Sequence, residues 1–304
     1  MFKSRTLLIC VLTVFFVLPS VITFAQAQPI IQILATFDYP GTGNSTTAFG
    51  INEHDDIAGN YVDSAGVTRG FVRAGNGTFS PPIVAPGDTG NFTRCLGINT
   101  PGTVVGDFFN VAENRFHGYF LSGGAFRQFD VGPTVSTSLV GINLAGNFVG
   151  TFGSIAQPNQ AFINISGSTI VIAIPGAHDS NGDGINAQNE VVGSYSDSGL
   201  VLHGFFRTAA GALKFPIDFP GSTATALNGI NNGDAIVGNH TDSTGGVHGL
   251  LLHKPNTFVS FDYPGAVATS FNGINNAGHI SGRYTDGAGV RHGFLAAVIT
   301  PPAD

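Results

Sequence analysis

The chain has 304 residues, with 12 Lys and Arg, 19 Asp and Glu and a formal net charge of −7. That acidic balance excludes the basic footprint needed on nucleic acid or an anionic membrane surface. Gly reaches 43 and Phe 26, a composition suited to many short strands and tight turns, and the lack of long segments with a 3.6-residue apolar period excludes helical repeats.

Residues 1–27 have the layout of a secretory signal. Lys3 and Arg5 make a basic start, Leu7 to Val21 is the apolar run, and Ala25-Gln26-Ala27 is a small-x-small cleavage site. Cys10 lies inside the apolar run, and the preceding Leu7-Leu8-Ile9 lacks the small residue expected before a lipidated cysteine. The expectation is a secreted chain, periplasmic or extracellular, beginning near Gln28. It retains only Cys95, so it must hold together by packing, without an intrachain disulfide. No second stretch of 18 apolar residues follows, so no membrane span is expected in the mature chain. Ile299 to Asp304 carries no identifiable sorting signal.

Ile33 to Asp38 reads as a strand ended by the turn signal Pro40-Gly41. One plan then repeats six times. A Ser/Thr-rich strand leads to Gly-Ile-Asn at Gly50-Ile51-Asn52, Gly97-Ile98-Asn99, Gly141-Ile142-Asn143, Gly184-Ile185-Asn186, Gly229-Ile230-Asn231 and Gly273-Ile274-Asn275. An apolar pair follows, then a second glycine nine residues after the first: Gly59, Gly106, Gly150, Gly193, Gly238 and Gly282. A strand glycine is costly, so its recurrence predicts a bulge or a close backbone approach. A Gly-containing turn, a third strand of the His-Gly-Phe type and a fourth strand before the next Pro-Gly complete each unit. Four short strands per unit, at intervals of 43 to 47 residues, match a propeller blade.

The ends are offset. A fourth-type strand precedes the first unit, and the last unit stops after His292-Gly293-Phe294-Leu295. The expected fold is therefore all-β, one domain over 28–304, a six-bladed β-propeller whose N-terminal strand closes the last blade. The alternative is an open β repeat array, which would need polar caps that the sequence does not show.

Several residue sets are candidates for chemistry. The third-strand column holds Arg69, His117, Gln160, His203, His248 and His292; its four histidines could bind a metal, an anion or another ligand, change charge near pH 6.5, or act as blade-internal hydrogen bonders. Tyr39 and Tyr263, before Pro-Gly turns, could stack on sugar rings or pack the turn. Asp38, Asp130, Asp218 and Asp262 near those turns, and Asp63, Asp197, Asp242 and Asp286 in the strand 2–3 turns, suit turn formation. Asp179 to Glu190 fits the spacing of a calcium loop, with oxygen ligands from Asp179, Asn181, Asp183, the Ile185 carbonyl and Glu190. Gly184 there belongs to the repeat in any case. No Gly-x-Ser-x-Gly, His-Glu-x-x-His or phosphate-cradling Gly-Lys-Ser/Thr motif occurs. A catalytic site in a repeat protein would show as a deviation from the repeat, and His54, Asp55, Asp56 and Glu113 are unit-specific polar residues.

The recurring Gly-Ile-Asn, the glycine and aromatic that follow it, and the triplets His117-Gly118-Tyr119, His203-Gly204-Phe205, His248-Gly249-Leu250 and His292-Gly293-Phe294 resemble the HAF repeat of exported bacterial proteins. Arg69-Gly70-Phe71 and Gln160-Ala161-Phe162 depart from it. The resemblance implies an extracellular or envelope repeat protein and brings no catalytic residues or required cofactor with it; calcium enters only through the Asp179 to Glu190 spacing. The function expected is a non-catalytic binding or surface-associated structural module, monomeric, with a glycan or an envelope protein as partner. A secreted propeller enzyme acting on carbohydrate is the alternative.

Overall fold

The computed structural model describes residues 28–41, 45–253 and 257–299. The expected signal at residues 1–27 lies outside them, as do residues 300–304. Every regular element described is a strand, and among the described residues no helix is long and apolar enough to cross a membrane.

Strand β1 (Ile30–Phe37) comes first but does not belong to the first blade. Blade 1 is β2 (Ser45–Ile51), β3 (Ile57–Val62) and β4 (Thr68–Arg73). Its fourth strand is reduced to bridges from Gly70 to Ile83 and from Arg73 to Phe79, since Pro81 and Pro82 offer no N–H to a ladder. Blade 2 is β5 (Thr93–Ile98), β6 (Val104–Asn110), β7 (Arg115–Ser122) and β8 (Ala125–Phe129). Blade 3 is β9 (Ser136–Ile142), β10 (Phe148–Ser154), β11 (Gln157–Ile165) and β12 (Ser168–Val171), and blade 4 is β13 (Asp179–Ile185), β14 (Val191–Ser196), β15 (Leu202–Arg207) and β16 (Leu213–Ile217). Blade 5 is β17 (Ala224–Ile230), β18 (Ile236–Thr241), β19 (Val247–His253) and β20 (Thr257–Phe261). Blade 6 has β21 (Ala268–Ile274), β22 (His279–Thr285) and β23 (Arg291–Ile299), and β1 completes it, pairing antiparallel with Ile30 opposite Ile299 and Phe37 opposite Gly293. A single parallel bridge, Val247 to Ala268, links blades 5 and 6 into one continuous sheet. The fold is a six-bladed β-propeller closed by its N-terminal strand.

The apolar pair on the second strand of blades 1–5 explains the core; blade 6 has Ile280-Ser281 there. Neighbouring residues on a strand face opposite sides, so each pair feeds two blade junctions at once. Val104 packs with Ala58, Cys95 and Tyr119 toward blade 1, whereas Val105 packs with Leu139, Phe148 and Phe162 toward blade 3. Val191 and Val192 divide in the same way between the junctions on either side of blade 4, and Ile236 and Val237 between those of blade 5. The junction between blades 6 and 1 is closed by Phe37 and Leu295 against Ala48, Ile57 and Phe71.

Both expectations for the second glycine hold. The first two strands of every blade slip register beside it, as between Cys95 and Gly97 or Phe271 and Gly273. A Cβ there would run into the opposing carbonyl oxygen: Thr47 for Gly59, Arg94 for Gly106, Asn181 for Gly193.

Gly-Ile-Asn builds the axis. The glycines of neighbouring inner strands touch backbone to backbone; a Cβ on Gly50 would lie 2.8 Å from the Gly97 Cα, on Gly184 2.9 Å from the Gly229 Cα, and on Gly229 3.0 Å from the Gly273 Cα. Gly273 returns to blade 1, with the Phe49 carbonyl 2.8 Å from its would-be Cβ. The asparagines form a closed cycle. The Nδ2 of Asn52 donates to the Asn99 carbonyl (3.2 Å), Asn99 to Asn143 (3.2 Å), Asn143 to Asn186 (3.0 Å), Asn186 to Asn231 (3.4 Å), Asn231 to Asn275 (3.0 Å) and Asn275 back to Asn52 (3.0 Å). Each Oδ1 accepts amide hydrogens of its own turn, as from Gly233 and Ala235 to Asn231.

Gly184→Ala should therefore destabilise the protein by about 1–3 kcal/mol through overpacking at the axis. Gly287→Ala, in an outer turn with open space around its Cβ, should change stability by less than about 0.5 kcal/mol. Urea denaturation of the two variants checks this.

Candidate functional site

The axis is not filled throughout. A cavity of ≈640 Å³ opens beside the inner strands, and a smaller space of ≈130 Å³ lies on the asparagine side. Ile51, Ile98, Ile142, Ile185, Ile230 and Ile274 line both, so the isoleucine ring is the floor of the larger one.

The cavity wall is where the repeat stops repeating. The residue before each Gly-Ile-Asn faces the axis, and the six are Phe49, Leu96, Val140, Asp183, Asn228 and Asn272. In this column blades 1–3 are apolar and blades 4–6 polar. Two further columns contribute: Arg94, Ser138, Asn181 and Ser270 from the first strands, and Asp107, Thr151, Asn239 and Arg283 from the second strands. Phe116 and Phe152 also line it.

The polar groups fall into three states. Arg94 and Asp107 neutralise each other: Arg94 Nε donates to Asp107 Oδ1 at 2.8 Å and Nη2 to Oδ2. Burial opposes the Arg94 charge, and the Asp107 carboxylate more than offsets it, raising the guanidinium pKa. The amides form a network. Asn228 Nδ2 donates to the Phe271 carbonyl (2.8 Å) and to Asn239 Oδ1 (3.3 Å), Ser270 Oγ to Asn272 Oδ1 (2.9 Å), and Asn272 Nδ2 to the Ala48 carbonyl (2.6 Å). Asp183 and Arg283 stand apart, because neither side chain hydrogen-bonds or ion-pairs with another described residue. Burial alone pushes the Asp183 carboxyl up to about 7. Burial, followed by the like charge of Arg291, lowers the Arg283 pKa.

The sequence-predicted site residues lie elsewhere, except Asn181, Asp183 and Ile185, which line the axial cavity. His117, His203, His248 and His292 each sit between two carboxylates, outside the axial cavity. Their Nδ1 atoms meet Asp130 (3.0 Å), Asp218 (2.9 Å), Asp262 (2.7 Å) and Asp38 (3.0 Å). Their Nε2 atoms face Glu113 (3.5 Å), Asp197 (3.7 Å), Asp242 (3.2 Å) and Asp286 (3.4 Å). The sequence held a signal for this arrangement. The two units without the histidine, at Arg69 and Gln160, also lack the aspartate before the Pro-Gly turn, having Val84 and Ala173 there. Tyr39 stacks on Tyr61 at 3.9 Å and donates to the Ser80 carbonyl; Tyr263 stacks on Tyr284 at 3.7 Å and its hydroxyl meets Thr36 Oγ1 at 2.6 Å. One face of each ring is thereby covered.

The five calcium-loop residues are not brought together. Asp179 to Ile185 is the extended strand β13, and at about 3.3 Å per residue it spreads its side chains far beyond the 2.3–2.6 Å reach of one cation. Asp179 meets His178 (3.3 Å) and Glu190 accepts from Asn186 Nδ2 (2.7 Å). Asn181 and Asp183 line the axial cavity, a role that the calcium spacing did not indicate. Among the described residues no group of three His, Cys, Asp or Glu side chains could hold a metal ion. Of the unit-specific residues, Asp55 accepts from Asn275 and His279 across the closing junction, Asp56 caps Gly75, and Glu113 binds Arg115. Cys95 is buried beside Tyr119, and burial pushes its thiol to about 12, an inert state.

Comparison with known proteins gives fold neighbours. SapL1 lectin in complex with α-methyl fucoside is similar at 11% identity and TM-score 0.55, over 86% of this chain and 98% of that one. The Aleuria aurantia lectin, described as a six-bladed β-propeller with a novel fucose recognition mode, matches at 11% and 0.53, over 88% and 99%. The β-propeller domain of the Trilobed protease from Pyrococcus furiosus, described as having an open velcro topology, matches at 10% and 0.52, over 86% and 85%. The likeness is one of fold. No family model matches the chain, and no curated protein does.

The His–Asp clamps have a pH signature. In His248 and His292 burial lowers the pKa, and the hydrogen bonds to Asp262 and Asp242, and to Asp38 and Asp286, outweigh it and raise the pKa. Such a group contributes stability that is full below the unfolded imidazole value of about 6.5 and lost as pH rises through the folded one. The turn aspartates have the opposite slope. Amides of Val67, Val201 and Val290 lower Asp63, Asp197 and Asp286, so their contribution is present above about pH 4 and lost in acid. His248→Gln copies the side chain that Gln160 supplies in blade 3. The stability margin of the parent over this variant should be largest below about pH 6.5 and shrink toward pH 9. Chemical denaturation across that range measures it, and a margin that grows with pH would contradict the assignment.

Proposed function

We propose that the protein is an exported, non-catalytic propeller of the HAF-repeat kind that binds a saccharide or glycan terminus in its axial cavity. The observation that carries this reading is the lining. Amides and hydroxyls (Asn181, Asn228, Asn239, Asn272, Ser270) occupy one side and Phe49, Leu96 and Val140 the other. A sugar has the same two characters, hydroxyl edges and an apolar face. The cavity volume falls within the ~300–1,000 Å³ of small-molecule sites. The lectins among the fold neighbours support the reading by analogy of fold alone.

A second reading, a secreted enzyme acting on carbohydrate, is favoured by one observation. Asp107 and Asp183 place two carboxyls in one cavity, and Asp183, at about 7, is in the range of a general acid. Against it, Arg94 engages both Asp107 oxygens, so the lining holds no second free carboxyl beside Asp183 to serve as nucleophile or base.

A broad glycan array, probed with the purified protein, should give reproducible binding to one glycan class. Leu96→Phe with Val140→Phe repeats the residue that blade 1 already carries at Phe49 and narrows the cavity. It should weaken that binding by tenfold or more, about 1.4 kcal/mol, with little change in melting temperature. The bound glycan should be recovered intact after incubation; cleavage that Asp183→Asn abolishes would instead establish the enzyme.

A further inference from the structure

Among the described residues, Arg283 is the one positive charge of the axial cavity left unmatched. Its counterpart in the same lining column of blade 2 is Asp107, whose charge Arg94 cancels. In blade 6 the corresponding residue is the guanidinium itself, and no described carboxylate meets it. Among the described residues, the charged group that acts on it is another cation, Arg291. A guanidinium held inside a fold loses much of its hydration, and an anion within hydrogen-bond reach restores what burial removes. Its planar fork matches a carboxylate bidentately. Around it the lining offers neutral donors and acceptors, Asn239, Ser270 and Asn272, which suit ring hydroxyls. Asp183, also unpartnered, lies on a different blade of the same wall and can hydrogen-bond a hydroxyl of the ligand. With Arg94 and Asp107 cancelling, Arg283 and the Asp183 carboxyl are the charged groups left in the lining, at most one net positive charge, which suits a monoanion better than a phosphate dianion.

We propose that the ligand of the axial cavity is an acidic saccharide, a uronic acid or a glycan ending in one, whose carboxylate pairs with the Arg283 guanidinium while its hydroxyls meet the amides of blades 5 and 6. This rests on the saccharide reading above and adds the charge of the ligand to it. Arg283 is then the residue that sets specificity between acidic and neutral sugars.

Calorimetric titration of the purified protein with galacturonic and glucuronic acids, their methyl esters and the parent neutral sugars tests it, with oligomers of each run in parallel. The expected result is that at least one acid binds tenfold or more tighter than its ester and its neutral parent. Arg283→Gln should abolish that ratio without lowering the melting temperature, and Asp183→Asn should weaken acid and neutral sugar together and leave the ratio in place. Equal binding of acid and ester, or binding of neutral sugars only, overturns this inference and leaves the saccharide reading standing. An acid preference that persists in Arg283→Gln also overturns it. No binding by any saccharide overturns both.

Discussion

The six-membered cycle of asparagine hydrogen bonds is the constraint on which the rest depends. Each Nδ2 reaches a carbonyl of the next blade, and the last, from Asn275 to Asn52, joins the two ends of the repeat. Each bond alone is worth about 0.5–1.5 kcal/mol. The cycle also fixes geometry, because an asparagine that caps its own turn and reaches across allows only one distance between inner strands. That distance is so short that the backbones touch, which is why no side chain fits at Gly50, Gly97, Gly184, Gly229 or Gly273. Isoleucine between glycine and asparagine seals the axis beside the cycle.

Closure of the axis at one end leaves a blind cavity above the isoleucine floor, with a wall drawn from all six blades. Columns that hold the ring together cannot vary, and columns that only face the cavity can. The column before the glycine passes from Phe49, Leu96 and Val140 to Asp183, Asn228 and Asn272, and so turns a symmetric scaffold into an asymmetric site. The His–Asp clamps are structural as well, but they occupy only four of the six blades, with Arg69 and Gln160 in place of the histidine in blades 1 and 3. Each ties the third strand to the end of the fourth, and their carboxylates are spent on imidazoles.

The architecture was legible in the sequence because it lies in what the six copies share: the interval, the glycines and the offset fourth strand that became β1 pairing with β23. The candidate site was not, because it lies in what they do not share. The chemistry that recurs in the sequence lies in the histidines and in the tyrosines before Pro-Gly, which the structure engages in His–carboxylate contacts and ring stacks. Asp183 and Asn181 drew notice for a calcium spacing in which Gly184 is only the repeat glycine; strand β13 extends them along the cavity wall. Arg283 had no motif around it. Its signal was that the tenth residue after each Gly-Ile-Asn glycine reads Asn60, Asp107, Thr151, Ser194, Asn239, Arg283, a column too mixed to be structural.

In this reading the propeller binds its ligand on the axis and not at the blade junctions. The most direct measurement is a crystal structure of the protein with the tightest-binding saccharide from a glycan array. The account predicts one saccharide per chain in the cavity above the isoleucine ring, in contact with Asn239 and Arg283. Saccharide density repeated around the rim beside the His–Asp pairs, with the axis holding only water, would contradict it.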